Sequence, residues 1–272
     1  MSICVVALCH STSLMIDVNT SHLLPFVFFS TLFAYNFQRL IRFRPAKLQS
    51  YHLSWINNHR IFLTFTLVSS LLLSFYFSFS LKLSAMYLLI PATVVSVCYP
   101  LKIFTFRNKK IALREFPKMK IFLIALVWTI VSVGLVVVEN DSLFSLDTLL
   151  LFLARFSFVV AITIPFDIRD LKYDATALKT IPQLFGVRNA KKVALCFLAV
   201  FELISIIHFF IGGFSLAVLV ALLMCSVFTA LLIVKTKQEM NTFYFSFWVE
   251  GTSILMLILL FVIPFAFGIF VP

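Results

Sequence analysis

The chain has 272 residues, of which 62% are hydrophobic and 12% are charged, and its mean hydropathy is +1.07. A soluble domain cannot bury that much apolar surface, so the composition excludes a soluble globular protein and indicates a polytopic membrane protein. The formal net charge of +11 would suggest a nucleic-acid partner in a soluble protein. Here the charges follow a different pattern, and we expect no nucleic-acid partner.

Nine apolar stretches of about spanning length follow one another along the chain. They lie near 2–18, 22–43, 60–80, 84–103, 119–139, 146–168, 188–210, 214–236 and 243–271. This pattern predicts an all-α fold, with about nine transmembrane helices forming a single domain over residues 1–272. The first stretch is short and begins almost at the first residue, so we interpret it as a helix that lacks part of its N-terminus.

The basic residues are concentrated in every second connection. Of the 22 Lys and Arg residues, 20 lie in or beside the connections that follow the second, fourth, sixth and eighth apolar stretches. The other connections carry mainly acidic residues, namely Asp17, Glu139, Asp141 and Asp147. The positive-inside rule therefore places the basic connections in the cytoplasm. We expect the inner or plasma membrane of a bacterium, with the site facing the cytoplasm.

The five cysteines predict neither a disulfide framework nor a zinc site. All five lie within or at the ends of apolar segments, and no Cys-x-x-Cys pair occurs. Thiols in such positions are typical of small buried side chains.

The most informative stretch of the chain reads FDIRDLKYDATALKTIPQLFG and spans residues 166–186. Asp167, Asp170 and Asp174 are spaced i, i+3, i+7, which places three carboxylates on one face of a helix. Such carboxylates repel one another unless a cation lies between them, and ligands that are all oxygen suit a hard ion such as Mg²⁺. The alternative is a solvated acidic helix end that is neutralised by the basic residues of the same stretch.

This stretch resembles the second aspartate-rich motif of the UbiA superfamily, the intramembrane prenyltransferases. The matching positions are Asp167, Arg169, Asp170, Asp174, Thr180, Pro182 and Gly186. The resemblance implies that Asp167, Asp170 and Asp174 bind Mg²⁺, and that Asp170 and Asp174 are the catalytic pair. It also implies that the helices surround a lateral cavity for the prenyl chain.

The first aspartate-rich motif of the superfamily is degenerate in this chain. Asn36 is present at the end of the second apolar stretch, but Phe37, Leu40 and Arg44 stand where the superfamily has acids. We therefore expect at most one tightly bound Mg²⁺, on the side of the second motif. Asn36 and Arg39 are candidate contacts for the diphosphate, since a guanidinium matches phosphate oxygens. Arginines at a helix end also contact lipid headgroups, which is the alternative interpretation of Arg39.

Further candidate contacts for the diphosphate lie in the other basic connections. Tyr99-Pro100-Leu101-Lys102 resembles the superfamily segment that opens the loop between helices 4 and 5. The basic candidates are Lys102, Arg114, Arg169 and Lys172. Each of them is also explained as a charge that sets the topology.

Three further expectations concern local structure. Residues 45–60 mix aromatic and polar side chains and predict a loop at the membrane interface. Pro165 predicts a kink in the sixth helix, because proline removes one helical hydrogen bond. Gly186 predicts a backbone conformation that a Cβ atom would disfavour.

The resemblance implies a Mg²⁺-dependent transfer of an isoprenoid group from a prenyl diphosphate to a lipophilic acceptor, in contact with membrane lipid. The oligomeric state is left open. A diverged member that binds prenyl lipids with little or no activity is the first alternative, because the first motif is degenerate. A transporter is the second, and it would use ionisable groups deep in the membrane such as Arg155 and Glu202.

Arg155 and Glu202 lie at similar depth by the boundaries of the sixth and seventh apolar stretches. Consecutive antiparallel helices are usually neighbours, and an unpaired charge at such depth costs at least ~2.5–3.5 kcal/mol. The sequence therefore predicts a structural salt bridge between Arg155 and Glu202.

Overall fold

The structure is a computed structural model that describes residues 1–42, 58–106, 109–141, 145–172 and 178–268. Nine helical segments longer than ten residues are present in these ranges. They are α1 (Ser2–Met15), α2 (Leu23–Arg42), α3 (Arg60–Ser78), α4 (Leu83–Cys98), α5 (Lys120–Glu139), α6 (Leu146–Asp170), α7 (Ile181–Phe210), α8 (Leu216–Lys235) and α9 (Tyr244–Ala266). Six of them, α3 and α5 to α9, are long and apolar enough to span a membrane. The predicted all-α polytopic fold is confirmed.

The helix boundaries agree with the apolar stretches to within about three residues, except that α4 and α9 end five residues earlier than predicted and that α7 starts earlier. This helix begins at Ile181 rather than near 188, because a first turn with Pro182 precedes Gly186. Gly186 itself has φ 75° and ψ 164°, so the helical conformation is interrupted there. The positive φ confirms the expectation for this glycine. α6 runs to Asp170 with Pro165 inside it.

Two helices contain π-helical turns. The segment Ile130–Gly134 widens α5 in its middle, and Tyr244–Val249 forms the first turns of α9. Such turns insert an extra residue and change which side chains face a neighbouring helix. The π-helical segment of α5 packs against α1.

The connection between α4 and α5 contains a small hairpin that the sequence pattern did not predict. β1 (Phe104–Phe106) and β2 (Lys109–Ile111) are antiparallel, with Phe104 opposite Ile111. A 3₁₀ turn at Leu113–Glu115 leads from the hairpin toward α5. In this turn Glu115 accepts a hydrogen bond from the amide of Ala112 at 3.0 Å.

The helices pack as a bundle in which α6 and α7 form the most extensive contact. α6 is also the most buried of the six long apolar helices. α1 lies between α2, α5 and α9, whereas α3 packs mainly against α2 and turns most of its apolar side chains outward. An outward apolar surface is what a lipid environment requires.

The charges at the acidic end of the bundle are engaged by neighbouring groups. The Glu139 carboxylate accepts bonds from the amide of Lys82 at 3.1 Å and lies 3.3 Å from Nε2 of His22. Asp147, in the first turn of α6, lies 3.1 Å from Nε2 of His208. These contacts join the start of α4 to the end of α5, and the start of α6 to the end of α7, at the side of the bundle opposite the aspartate motif.

The predicted salt bridge between Arg155 and Glu202 is wrong. Arg155, which is 4% exposed, donates to the hydroxyls of Ser11 at 2.8 Å and Thr12 at 3.0 Å, and to the sulfur of Met256 at 3.1 Å. The Glu202 carboxyl group instead faces Ser226 on α8. α6 and α7 are neighbours as expected, but the two side chains contact different partners. Depth along the helices was therefore insufficient to predict the pair.

The backbone of Gly186 yields a stability prediction. We expect Gly186→Ala to destabilise the protein by about 1–3 kcal/mol, because its φ and ψ fall in a region that is essentially restricted to glycine. The matched control is Gly251→Ala in α9, where the backbone is helical and no heavy atom lies within 4 Å of the added Cβ. That control should be neutral or slightly stabilising, since alanine favours helix over glycine. Thermal unfolding in detergent measures both, and equal melting temperatures for the two variants would contradict the prediction.

Candidate functional site

Asp167 lies in the last turn of α6, at the basic end of the bundle, and its side chain is almost completely buried. The Nζ atom of Lys120, the first residue of α5, is 2.8 Å from its Oδ1 atom. A buried carboxylate needs such a partner, because the interior does not solvate its charge. The ammonium group of Lys120 is therefore the ion-pair partner of Asp167, the first aspartate of the motif.

Asp170 is paired with the residue that precedes it. Arg169 donates to both carboxylate oxygens, from Nε at 2.7 Å and from Nη2 at 3.1 Å. The guanidinium also lies over the rings of Phe166 and Phe245, 5.2 and 5.5 Å from their centroids. Contacts of this kind restrict a guanidinium that would otherwise be mobile. Arg169 therefore fixes the Asp170 carboxylate at the end of α6, next to the start of α9.

A small cavity of about 10 Å³ adjoins Asp167, which is room for one water-sized sphere. Its wall combines charged, hydroxyl and apolar side chains from three parts of the chain. The lining residues are Lys118, Lys120, Ile121, Asp167, Leu178, Thr180 and Ile181. The amide of Lys118 donates to the carbonyl of Leu178 at 3.0 Å, so the connections on both sides of the cavity are joined.

The other predicted contacts are distributed over α2 and the α4–α5 connection. Asn36 is buried and Arg39 is half-buried near the end of α2. Lys102 is paired with Glu115 at 3.8 Å. The amide of Arg114 donates to the carbonyl of Tyr99 at 3.2 Å, which ties the 3₁₀ turn to the end of α4.

Some predictions fall outside the described residues. Asp174 is one of them, so its role as a metal ligand stays a prediction, as does the loop over 45–57. Arg44 of the degenerate first motif is also outside. Lys172 follows the end of α6 and is exposed. The structure thus gathers Asp167, Asp170 and Arg169 at one helix end.

Lys120 is the site residue that the sequence reasoning missed. In the sequence it is one of the 20 basic residues in or beside the basic connections, whose charges are explained by the topology alone. The signal that was available is its position, since it is the last basic residue before an uninterrupted apolar helix. That position holds its ammonium group at the membrane boundary, at the same level as the end of α6.

The described residues contain no group of three or more His, Cys, Asp or Glu side chains placed to hold a metal ion, so the magnesium site stays a prediction. α6 offers carboxylate oxygens, and the cavity beside Asp167 has room for about one water molecule or small ion. Mg²⁺ prefers oxygen ligands and commonly shares them with substrate phosphates. Asp167 and Asp170 are each already paired with a cationic side chain, Lys120 and Arg169. A Mg²⁺ ion that arrives without an anion must therefore compete with these two side chains for the carboxylates.

The fold and the site together define a polytopic helical membrane protein. At the basic end of its bundle lies a small cavity that is lined by an aspartate and two lysines. The model of the UbiA prenyltransferase family matches residues 56–251, more than half of the chain. The chain therefore belongs to the UbiA prenyltransferase family, whose members are prenyltransferases of membranes, and the resemblance seen in the motif is confirmed.

Solved structures share the fold over nearly their full length. A UbiA homologue from Archaeoglobus fulgidus bound to GPP and Mg²⁺ is 14% identical, with a TM-score of 0.68, covering 96% of this chain and 95% of that one. An apo UbiA homologue from Aeropyrum pernix K1 is 15% identical, with a TM-score of 0.65, covering 98% and 97%. A digeranylgeranylglyceryl phosphate synthase is 12% identical, with a TM-score of 0.59, covering 96% and 93%. A search of curated protein sequences found no match.

Proposed function

We propose that this protein is a Mg²⁺-dependent intramembrane prenyltransferase that moves an isoprenoid group from a prenyl diphosphate to a lipophilic acceptor. The observation that carries the proposal is the pairing of two motif carboxylates with two cations at the end of α6, in a chain of this family. Carboxylates suit the metal and cations suit the phosphate oxygens. The fold neighbour from Archaeoglobus fulgidus, which binds GPP and Mg²⁺, supports the same assignment.

Different residues of the chain would bind the metal ion and the diphosphate. Asp167, Asp170 and Asp174 would hold Mg²⁺, and Arg169, Lys102, Arg114 and Lys172 are the candidates for the diphosphate. Asn36 and Arg39 would close the site from α2. Mg²⁺, when bound, neutralises the departing diphosphate and so promotes cleavage of the bond between C1 and oxygen.

The rest of the bundle would exclude water from the reacting carbon. α6 and α7 carry buried apolar side chains away from their cytoplasmic ends, such as Phe158 and Phe201, whose ring centroids are 5.3 Å apart. An apolar lateral cavity along these helices would bind the prenyl chain and protect an allylic cation from water. The site would then face the cytoplasm of a bacterial cell, on the side that the basic connections mark.

A direct assay tests this function. Membranes containing the protein are incubated with radiolabelled prenyl diphosphates, Mg²⁺ and a panel of lipophilic acceptors, and lipid-soluble product is measured. We expect product that disappears when a chelator removes Mg²⁺. Binding of the donor without product for any acceptor would favour the diverged, inactive alternative. Neither binding nor product would count against both.

A further inference from the structure

The ammonium group of Lys120 binds Asp167 and lies close enough to the adjoining cavity to bind a second anion there. Its Nζ atom is 2.8 Å from Asp167, yet its side chain is 20% exposed, whereas that of Asp167 is 2% exposed. Lys120 also lines the cavity beside Asp167. A lysine side chain is a flexible stem with a compact charge and three donors, so its ammonium can turn from one acceptor to another nearby.

The charges around the site favour such a change of partner. An ammonium and a carboxylate in direct contact near a protein surface attract each other, since water screens them only in part. A Mg²⁺ ion arriving alone at Asp167 must displace that contact without offering the ammonium a new anion. A Mg²⁺ ion arriving with a diphosphate brings several phosphate oxygens with it. The ammonium then exchanges one anionic partner for another.

The end of α2 does not supply additional carboxylates. Residues 35–44 of the sequence, YNFQRLIRFR, begin in α2 and contain two amide side chains and three arginines but no acid. The described carboxylates at this site are therefore those of Asp167 and Asp170 in α6. A diphosphate carries more negative charge than one Mg²⁺ neutralises, so further positive charge must come from side chains.

We propose that Lys120 is a diphosphate-binding residue that acts as the resident cation of this site. It neutralises Asp167 before the donor arrives, and it donates to the diphosphate once Mg²⁺ binds Asp167. This inference rests on the proposed function and deepens it. It implies that Mg²⁺ alone binds weakly and that Mg²⁺ and diphosphate strengthen each other's binding.

The test uses the purified full chain in detergent, with calorimetry of MgCl₂ alone and of inorganic diphosphate at saturating Mg²⁺. The variants are Lys120→Met, which keeps the length of the side chain, and Lys120→Arg, which keeps its charge. Lys192→Met, an exposed lysine of α7, is the matched control. Lys120→Met should bind Mg²⁺ alone about tenfold more tightly and Mg²⁺-diphosphate about tenfold more weakly, the size of one charge-assisted hydrogen bond. Lys120→Arg and Lys192→Met should stay within a factor of about three of wild type.

Two negative results of these binding measurements lead to different conclusions. A wild-type protein without Mg²⁺-dependent diphosphate binding would overturn the proposed function together with this inference. A wild-type protein that binds, with a Lys120→Met variant whose Mg²⁺ affinity does not rise, would overturn the role of Lys120 alone.

A second comparison applies if Lys120→Met does not fold because Asp167 is left buried without its cation. Asp167→Asn is then compared with the double variant Asp167→Asn and Lys120→Met, neither of which contains that carboxylate. Loss of Lys120 should still weaken diphosphate binding about tenfold in this pair. Equal diphosphate affinities would overturn the inference.

Discussion

Asp170→Asn is expected to reduce Mg²⁺-dependent prenyl transfer at least about a hundredfold, the size of loss that follows removal of one group stabilising charge in a transition state. The substitution keeps the shape of the side chain and removes the charge that Mg²⁺ requires. Arg169, which donates twice to Asp170, would lose its anionic partner and its alignment with the site. Product formation and donor affinity are measured in parallel.

The matched control is Asp141→Asn, an exposed aspartate at the acidic end of the bundle that pairs with Lys82. It removes the same charge far from the motif and should leave transfer unchanged. Equal activity of Asp170→Asn and the wild type would contradict the metal site. A parallel loss in both variants would point to a general effect of net charge.

The double variant Ser11→Ala and Thr12→Val is expected to destabilise the protein by about 3–5 kcal/mol, because it leaves a buried charge without its partners. These two hydroxyls of α1 accept the hydrogen bonds of Arg155, and Met256 supplies the third described acceptor. A thioether is a weak acceptor and cannot replace two hydroxyls. Thermal unfolding in detergent measures the loss.

Two further variants show whether the loss comes from the buried charge. Thr129→Val removes a buried hydroxyl that donates to the carbonyl of Ala125 in its own helix, and it should have an effect below about 1 kcal/mol. Arg155→Met in the Ser11 and Thr12 background should recover most of the stability, since the unpartnered charge is then gone. No recovery would mean that the hydroxyls stabilise α1 in some other way.

Arg155 also bears on the transporter alternative. The guanidinium is packed against α1 and α9 and is almost fully buried. Its bonds join three helices that are far apart in the sequence, and this is a structural role. The structure offers no support for a transport path through Arg155 in the part of the chain that it describes.

The sequence by itself determined the helices, the topology signal and the acidic motif, because each of these depends on local properties of the chain. Spanning length and hydropathy follow from the bilayer, and the segments predicted for α2 and α6 agree with the structure to within about two residues. The spacing of Asp167 and Asp170 is likewise a property of a single helix. Gly186 was predicted from the conformational freedom of its residue type.

The tertiary structure decided which side chains meet, because a contact depends on how each helix is rotated about its axis as well as on depth. Arg155 and Glu202 lie on adjacent helices, yet Arg155 faces α1 and α9 while Glu202 faces α8. Lys120 and Asp167 are 47 positions apart in the sequence, and only the packing of α5 against α6 brings them to 2.8 Å. A charge pattern along the chain predicts which end of the bundle a lysine occupies, and the packed helices decide which carboxylate it binds.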